Sequence, residues 1–162
     1  MATATPPETQ VLSDKVAITE LMSRWFYLVD DGRPVEAVDR FTTEDVTFDA
    51  GELGAAEDQE SWLEFTELAF EEILPFTRHT VHNPLIEVDG DTATGKWYLD
   101  CPTITGDGEA IWLQGTYEHE FRRADGEWLI SKFTFESTYA TPFDRGWAEQ
   151  PFVEDIPGEL DW

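Results

Sequence analysis

Two of the chain's three histidines, His79 and His82, lie three positions apart in RHTVHNPLIEVDGDTATGKWYLD, residues 78–100. Such a pair could bind a metal ion, or one histidine could transfer protons. On a regular strand, residues three apart point to opposite faces, so these two would not share a ligand. Because the sequence has no second cluster of histidine and cysteine, we predict no metal site. Proton transfer is therefore the chemistry to consider.

A histidine becomes a general base at neutral pH when a carboxylate holds one of its ring nitrogens, because this fixes the tautomer and raises the basicity of the other nitrogen. Asp30 is the carboxylate that we expect in this role. At 100° per residue it lies beside Met22 and Phe26 on the flank of an apolar helix face, whereas Asp31 points to solvent. A carboxylate directed towards a core usually has a partner. The alternative is a surface carboxylate and an ordinary strand histidine.

The first half of the chain supplies the helices. Apolar residues recur there at the spacing of one helical face, and glycine and proline mark the ends. The pattern predicts a helix over 13–31 capped by Ser13 or Asp14, a helix over 34–41, a short strand over 46–51 and a helix over 59–74.

The second half reads as a meander of long strands joined by glycine turns such as VDGDTA and RADGEW. The predicted strands are 78–89, 92–104, 110–123 and 127–140. Long consecutive strands favour a strongly curved, mostly antiparallel sheet, and the preceding helices would cover one of its faces. We predict an α+β cone with an open end, large enough for one small apolar molecule. Residues 1–11 are expected to form a disordered lead, 12–145 the domain and 146–162 an irregular strap.

Composition limits the partners. The chain has 35 acidic and 10 basic residues and a formal net charge of −25, a balance that disfavours nucleic acid. Its apolar clusters are too short to span a bilayer, and no secretory signal is visible, so we expect no membrane association and a cytoplasmic location. The acidic residues are spread along the chain and only three lysines are present. This pattern favours adaptation to high salt, as in halophiles, over binding of a basic partner.

Three stretches together resemble a known family: AITELMSRWFYLVDDG, RHTVHNPLIEVDGDTATGKWYLD and YEHEFRRADGEWLISKFTFESTYATPF. In this order they are similar to SnoaL-like proteins of the nuclear transport factor 2-like superfamily. The group that they most resemble holds scytalone dehydratase, bile acid 7α-dehydratase and hexachlorocyclohexane dehydrochlorinase. The resemblance spans about residues 14–145.

The resemblance implies a cone-shaped barrel, usually trimeric, whose enzymes need no metal or organic cofactor. It places a catalytic aspartate at Asp30 and a catalytic histidine at His79, four residues before Asn83. Trp25 stands where relatives carry tyrosine or lysine, and Phe133 where the dehydrochlorinase carries arginine. Neither replacement can ionise.

Aromatic side chains would form the pocket wall, namely those of Trp25, Phe133 and Phe135. On the strand over 92–104, Tyr98 and Asp100 share one face, and Trp97, Leu99 and Cys101 share the other. If the first face lines the pocket, Tyr98 and Asp100 could orient a substrate hydroxyl or carbonyl. If the second does, the pocket is more apolar and Asp100 is a solvated acid on the outside.

These observations lead to two hypotheses. The first is a cofactor-independent lyase or isomerase, similar to a dehydratase, acting on a small hydrophobic hydroxy or carbonyl compound for which a ring is the expected form. The second is a non-catalytic module of the same fold that binds a small molecule or supports assembly. A homo-oligomer is expected in either case, with a trimer favoured by the resemblance.

The acidic excess predicts a salt-dependent stability. At molar salt the Debye length falls to about 3 Å, which screens the mutual repulsion of the acidic groups. The melting temperature should therefore rise between low salt and molar KCl, as measured by circular dichroism. A melting temperature that stays constant or falls over this range would reject adaptation to high salt.

Overall fold

A computed structural model describes residues 8–153, except for the side chain of Glu72. The helices are α1 (Glu8–Asp30), α2 (Pro34–Phe41) and α3 (Gln59–Leu68), with a 3-10 turn over Gly51–Leu53 and a π-helical turn over Ala69–Ile73. The strands are β1 (Thr42–Asp49), β2 (Ala55–Ala56), β3 (Phe76–Thr77), β4 (Thr80–Asp89), β5 (Thr92–Ile104), β6 (Ala110–Ala124) and β7 (Glu127–Pro142).

The strands form one seven-stranded sheet in the order β2-β1-β7-β6-β5, and β3 and β4 both pair with β5. All pairs are antiparallel except β1 with β7, which is parallel. The three helices pack on one face of the sheet, where the apolar side chains of α1 meet those of β5, β6 and β7 in a single core. The predicted α+β architecture is thus confirmed.

The first helix begins earlier than predicted. α1 includes residues 8–11, which we expected in a disordered lead, so neither Ser13 nor Asp14 is its N-cap. The carboxylate of Asp14 is buried and serves a tertiary contact instead. It lies 2.8 Å from Nη2 of Arg123 and accepts a hydrogen bond from the indole of Trp128 at 3.3 Å, which fastens α1 to the β6–β7 hairpin. Residues 1–7 of the lead lie outside the described residues.

The other helices follow their local signals. α2 has the predicted bounds, with Pro34 in its first turn. α3 starts at a capping box, in which the side chain of Asp58 accepts from the backbone N–H of Ser61 at 2.9 Å and Ser61 Oγ accepts from the backbone N–H of Asp58 at 3.2 Å. The predicted helix over 59–74 is α-helical only as far as Leu68. Beyond this residue the backbone widens into the π-helical turn, because the N–H of Leu74 bonds the carbonyl of Ala69.

The long strands match the prediction closely, whereas β1 spans 42–49 in place of 46–51. Its extent follows from pairing with β7, from Thr42 opposite Ile130 to Asp49 opposite Thr134, which local alternation does not reveal. After β7 the chain turns back, and Phe152 forms a single bridge with Ala140. Residues 154–162 of the predicted strap lie outside the described residues.

One glycine shapes the inner face of the sheet. The register of β6 against β7 shifts at Gly115, and a Cβ atom at this position would collide with the carbonyl oxygen of Glu136 and the ring of Phe135. The missing side chain therefore lets β7 lie close and turns Phe135 towards the helices. This ring becomes part of the wall described next.

Candidate active site

The site is centred on a hydrogen bond between His79 and Asp30. His79 lies in the short connection between β3 and β4, and Asp30 is the last residue of α1. Nδ1 of His79 is 2.7 Å from Oδ1 of Asp30, and the backbone N–H of His79 donates to both carboxylate oxygens at 3.1 Å. Because a carboxylate only accepts, Nδ1 carries the proton and Nε2 is the basic nitrogen of the neutral ring.

The dyad is buried, with 10% of the His79 side chain and 5% of the Asp30 side chain exposed. The imidazole stacks on Phe26 of α1, with the ring centres 4.9 Å apart. Burial lowers the pKa of His79, but the hydrogen bond to Asp30 and the interaction with Cys101 outweigh it and raise the pKa to about 9. The environment therefore makes this imidazole a stronger base than a free histidine.

A cavity of about 120 Å³ lies between α1, α3 and the inner face of the sheet, and His79 is part of its wall. Trp25, Phe133 and Phe135 line it as predicted. Trp25 packs against Trp62 and Phe133, with 5.4 Å between the ring centres in both pairs. The wall is thus mainly aromatic and aliphatic, a surface suited to an apolar ring.

Tyr117 of β6 also lines the cavity, and sequence reasoning did not include it among the site residues. Its side chain is buried beside Phe26 and Phe135. Burial, together with the charges of Cys101 and Asp30, raises its pKa well above the usual value. The phenol is therefore a neutral hydrogen-bond donor. The alternation of buried positions along β6 was the signal that could have identified it.

Tyr98 and Asp100 do not line the cavity, so the first alternative for β5 is wrong. Their face is the outer face of the sheet, where Tyr98 is 48% exposed. Trp97, Leu99 and Cys101 point inwards and are buried. Strand alternation established the two faces, and packing of the helices decides which one is internal.

Asp100 is paired rather than simply solvated. Its Oδ2 lies 2.9 Å from Nε2 of His82, and the exposed fractions of the two side chains are 37% and 40%. The register of β4 shifts between His82 and Leu85, where Asn83 has a positive φ of 55°. His79 and His82 are thus separated: the first belongs to the cavity and the second to the outer surface.

The third histidine, His119, is packed in the core. His119 is buried on β6 with its ring centre 4.0 Å from that of Phe133. Burial lowers its pKa to about 3, so the imidazole is neutral. Its ring does not line the cavity.

Two findings concern the described part of the chain as a whole. No group of three or more histidine, cysteine, aspartate and glutamate side chains within residues 8–153 is arranged to hold a metal ion. No helix in that range is long and apolar enough to cross a membrane.

Comparison with known proteins places this geometry in a family. The model of the SnoaL-like domain matches residues 10–134. The chain belongs to the SnoaL-like domain family. Its fold is the nuclear transport factor 2-like cone, and solved structures of that fold superimpose over most of the SnoaL-like chain.

Three of these structures illustrate the likeness. A protein from Novosphingobium aromaticivorans, described provisionally as an aromatic ring hydroxylase, is 27% identical with a TM-score of 0.71, over 78% of this chain and 90% of its own. Hexachlorocyclohexane dehydrochlorinase LinA-type3 from Novosphingobium barchaimii is 24% identical with a TM-score of 0.71, over 81% and 90%. A protein described provisionally as a scytalone dehydratase from N. aromaticivorans is 19% identical with a TM-score of 0.74, over 82% and 89%.

The environment of the dyad in this SnoaL-like domain predicts the titration of His79. In the native protein its imidazole should titrate near pH 9, as followed by NMR, because Asp30 stabilises the charged form. Since this pKa exceeds the ordinary 6.5, the interaction stabilises the fold fully below about pH 6.5, and the stabilisation is lost as the pH rises through 9. Asp30→Asn should lower the pKa of His79, because the charged form then loses its carboxylate partner while the ring stays buried.

The matched control is Asp100→Asn, which removes the carboxylate from the exposed pair and should leave the titration of His79 unchanged. If Asp30→Asn fails to lower the pKa of His79, the hydrogen bond is not the cause of its basicity.

Proposed function

We propose that this SnoaL-like protein is a cofactor-independent lyase or isomerase, similar to a dehydratase, in which His79 removes a proton from carbon. The observation that carries the proposal is the 2.7 Å bond from Nδ1 of His79 to buried Asp30, beside an apolar cavity that His79 itself lines. A surface carboxylate next to an ordinary strand histidine would show neither the burial nor the doubled backbone contact. Two of the structural relatives, the dehydrochlorinase and the protein described provisionally as a scytalone dehydratase, have names that denote elimination chemistry.

In the proposed reaction, Nε2 of neutral His79 takes a proton from the carbon next to a carbonyl group. Asp30 holds the ring and stabilises the imidazolium as it forms. The electron pair of the broken C–H bond becomes a new double bond, the neighbouring C–O bond breaks, and the departing hydroxide takes the proton back from His79 and leaves as water. Both residues return to their starting states, so no further reactant is needed.

Tyr117 would supply the polar contact that one of the two alternatives for β5 gave to Tyr98 and Asp100. The hydroxyl of this buried side chain in the cavity wall would donate a hydrogen bond to the carbonyl oxygen, where negative charge develops during proton removal. A neutral phenol suits this function better than a carboxylate, which would repel that charge.

The cavity indicates the size and polarity of the substrate. An apolar cavity of about 150 Å³ is known to hold benzene, and the cavity here is about 120 Å³. It would therefore take one small ring. The polar side chains in its wall, tryptophan indoles aside, are Thr66, His79 and Tyr117. We infer a small hydrophobic, cyclic hydroxy or carbonyl compound without a charged group on the ring.

The second candidate is a binding or assembly module without catalysis. Trp25 favours it, because an indole stands in the cavity wall where catalytic relatives would carry an ionisable side chain. The two candidates differ in the consequence of removing the base: turnover is lost in an enzyme, whereas a binding module has no turnover to lose.

Substitutions at the site should separate these candidates. In a dehydration screen with cyclic hydroxy-ketones, His79→Ala or Asp30→Asn should lower kcat/KM by about 10²-fold or more, the usual contribution of a positioned base. The double variant should lose little more than His79→Ala alone, because an aspartate that only orients a histidine has no further effect once the histidine is absent. Tyr117→Phe should lower kcat by about 10²-fold.

The matched control is His82→Ala, which removes the exposed histidine and should retain most of the turnover. An active protein that loses turnover with His82→Ala and keeps it with His79→Ala would overturn the assignment.

Activity should also rise with pH towards about 9, as the neutral imidazole becomes populated.

We also propose that the protein is a homotrimer, built through the outer face of the sheet. This face and the segment after β7 expose large aromatic side chains, namely Tyr98, Trp112, Phe143 and Trp147. One acid of this face, Asp100, is paired with His82, which offsets part of its charge. Light scattering at high salt should give about three times the 18.5 kDa of one chain. A monomer mass would contradict the proposal.

A further inference from the structure

A second concavity adjoins the cavity and is more than twice as large. It is an open groove of about 290 Å³ between the end of α1, the start of α2 and the π-helical turn. The groove and the cavity share four wall residues: Val29, Pro34, Phe70 and Leu74. These side chains are therefore the partition between the two spaces.

The catalytic dyad lies across the same boundary. His79 lines the cavity, whereas Asp30 lines the groove, although the two are joined by a 2.7 Å hydrogen bond. A molecule that extended from the cavity into the groove would thus pass directly beside the reactive imidazole.

The partition rests on an unusual piece of backbone. Phe70 and Leu74 belong to or directly follow the π-helical turn over Ala69–Ile73, and both side chains are only partly buried. π-Helical turns are rare overall, but where they occur they often lie at functional sites. The turn is fastened at its far end, where the carbonyl of Ile73 accepts from the N–H of Gly106 at 2.9 Å. Phe70 precedes this anchor within the turn and is the aromatic residue of the partition.

The rim of the groove is negatively charged. Glu67 and Glu71 line it and are exposed, and Asp30 forms part of its floor. Arg78 lies near this carboxylate, with its Nε 3.9 Å from Oδ2 of Asp30, but it does not line the groove. A ligand group with a carboxylate or phosphate would therefore be repelled, whereas an uncharged group would not.

We propose that the groove is a second subsite for an uncharged alkyl substituent of the substrate, and that Phe70 and Leu74 determine which ring substituents are accepted. The inference rests on the proposed function, because it places the ring of the substrate in the cavity beside His79. The substituent leaves the ring past the partition and lies between α1, α2 and the π-helical turn. The substrate is thus a small ring with an apolar chain rather than a bare ring.

The test compares the binding of three probes by calorimetry: cyclohexanone, 4-butylcyclohexanone and the cyclohexanone whose four-carbon chain ends in a carboxylate. The butyl compound should bind at least about tenfold more tightly than cyclohexanone, since each buried methylene favours binding. The carboxylate compound should lose most of this gain in low salt. The double variant Glu67→Gln, Glu71→Gln should restore the gain in affinity for the carboxylate compound.

Two substitutions block the groove from different sides. Phe70→Trp enlarges the partition, and Val35→Trp fills the groove from a half-exposed position that does not line the cavity. Both should abolish the preference for the butyl compound. Only Val35→Trp is expected to keep the affinity for cyclohexanone, because Phe70 also lines the cavity. Val35→Trp covers the case in which Phe70→Trp disturbs folding. The matched control is Leu63→Ala. The side chain of Leu63 packs on the core and lines neither space, so this variant should keep the preference for the butyl compound.

Equal affinity of the wild-type protein for the butyl compound and cyclohexanone would overturn the inference, as would a preference that survives Val35→Trp. Failure of the proposed function can be distinguished from failure of the subsite, because the binding measurements are repeated with His79→Ala, a variant that lacks the proposed base and can still bind the probes. If the protein shows the predicted binding preferences but turns over no hydroxy-ketone, the proposed subsite stands and the proposed lyase function is rejected. If it binds none of the probes, both proposals are rejected.

Discussion

The arrangement of this molecule depends on one buried carboxylate, that of Asp30. An ionised group removed from water needs partners, and Asp30 has three contacts from a single residue: the ring of His79 at 2.7 Å and its backbone N–H at 3.1 Å to each oxygen. These bonds join the end of α1 to the connection that leads into β4, across 49 positions of sequence. The junction thus ties the end of α1 to the sheet at the edge of the cavity.

The chain contains the same chemical pair twice, and environment alone distinguishes the two. His82 and Asp100 are 2.9 Å apart, close to the 2.7 Å of His79 and Asp30, but their side chains are 40% and 37% exposed in place of 10% and 5%. Water screens the exposed pair and competes for its hydrogen bonds, whereas the buried pair interacts in a medium of low polarity. Only the buried imidazole adjoins an apolar space. Both pairs have the geometry of a dyad, but only His79 faces the apolar cavity, and there its hydrogen bond to Asp30 raises its pKa against the opposing effect of burial.

The sequence predicted what depends on local periodicity and failed where packing decides. The bounds of α2, the long strands and the inward turn of Asp30 all follow from patterns within a few residues. The internal face of β5 does not, because alternation defines two faces and leaves open which of them the helices cover. Tyr98 was therefore one of two alternatives for the wall, and Tyr117 on the neighbouring strand is the tyrosine that lies there.

The start of α1 was missed for a related reason. Asp14 has the residue type of an N-cap, which would begin a helix, yet its carboxylate binds Arg123 and Trp128 and joins the helix to the β6–β7 hairpin instead. Asp14 and Asp30 thus have parallel structural functions near the two ends of α1. Each is a buried acid that bonds the helix to a different part of the second half of the chain. In a protein with a large excess of acidic residues, these two buried carboxylates add polar junctions to the apolar packing of α1, and one of them also contacts the candidate base.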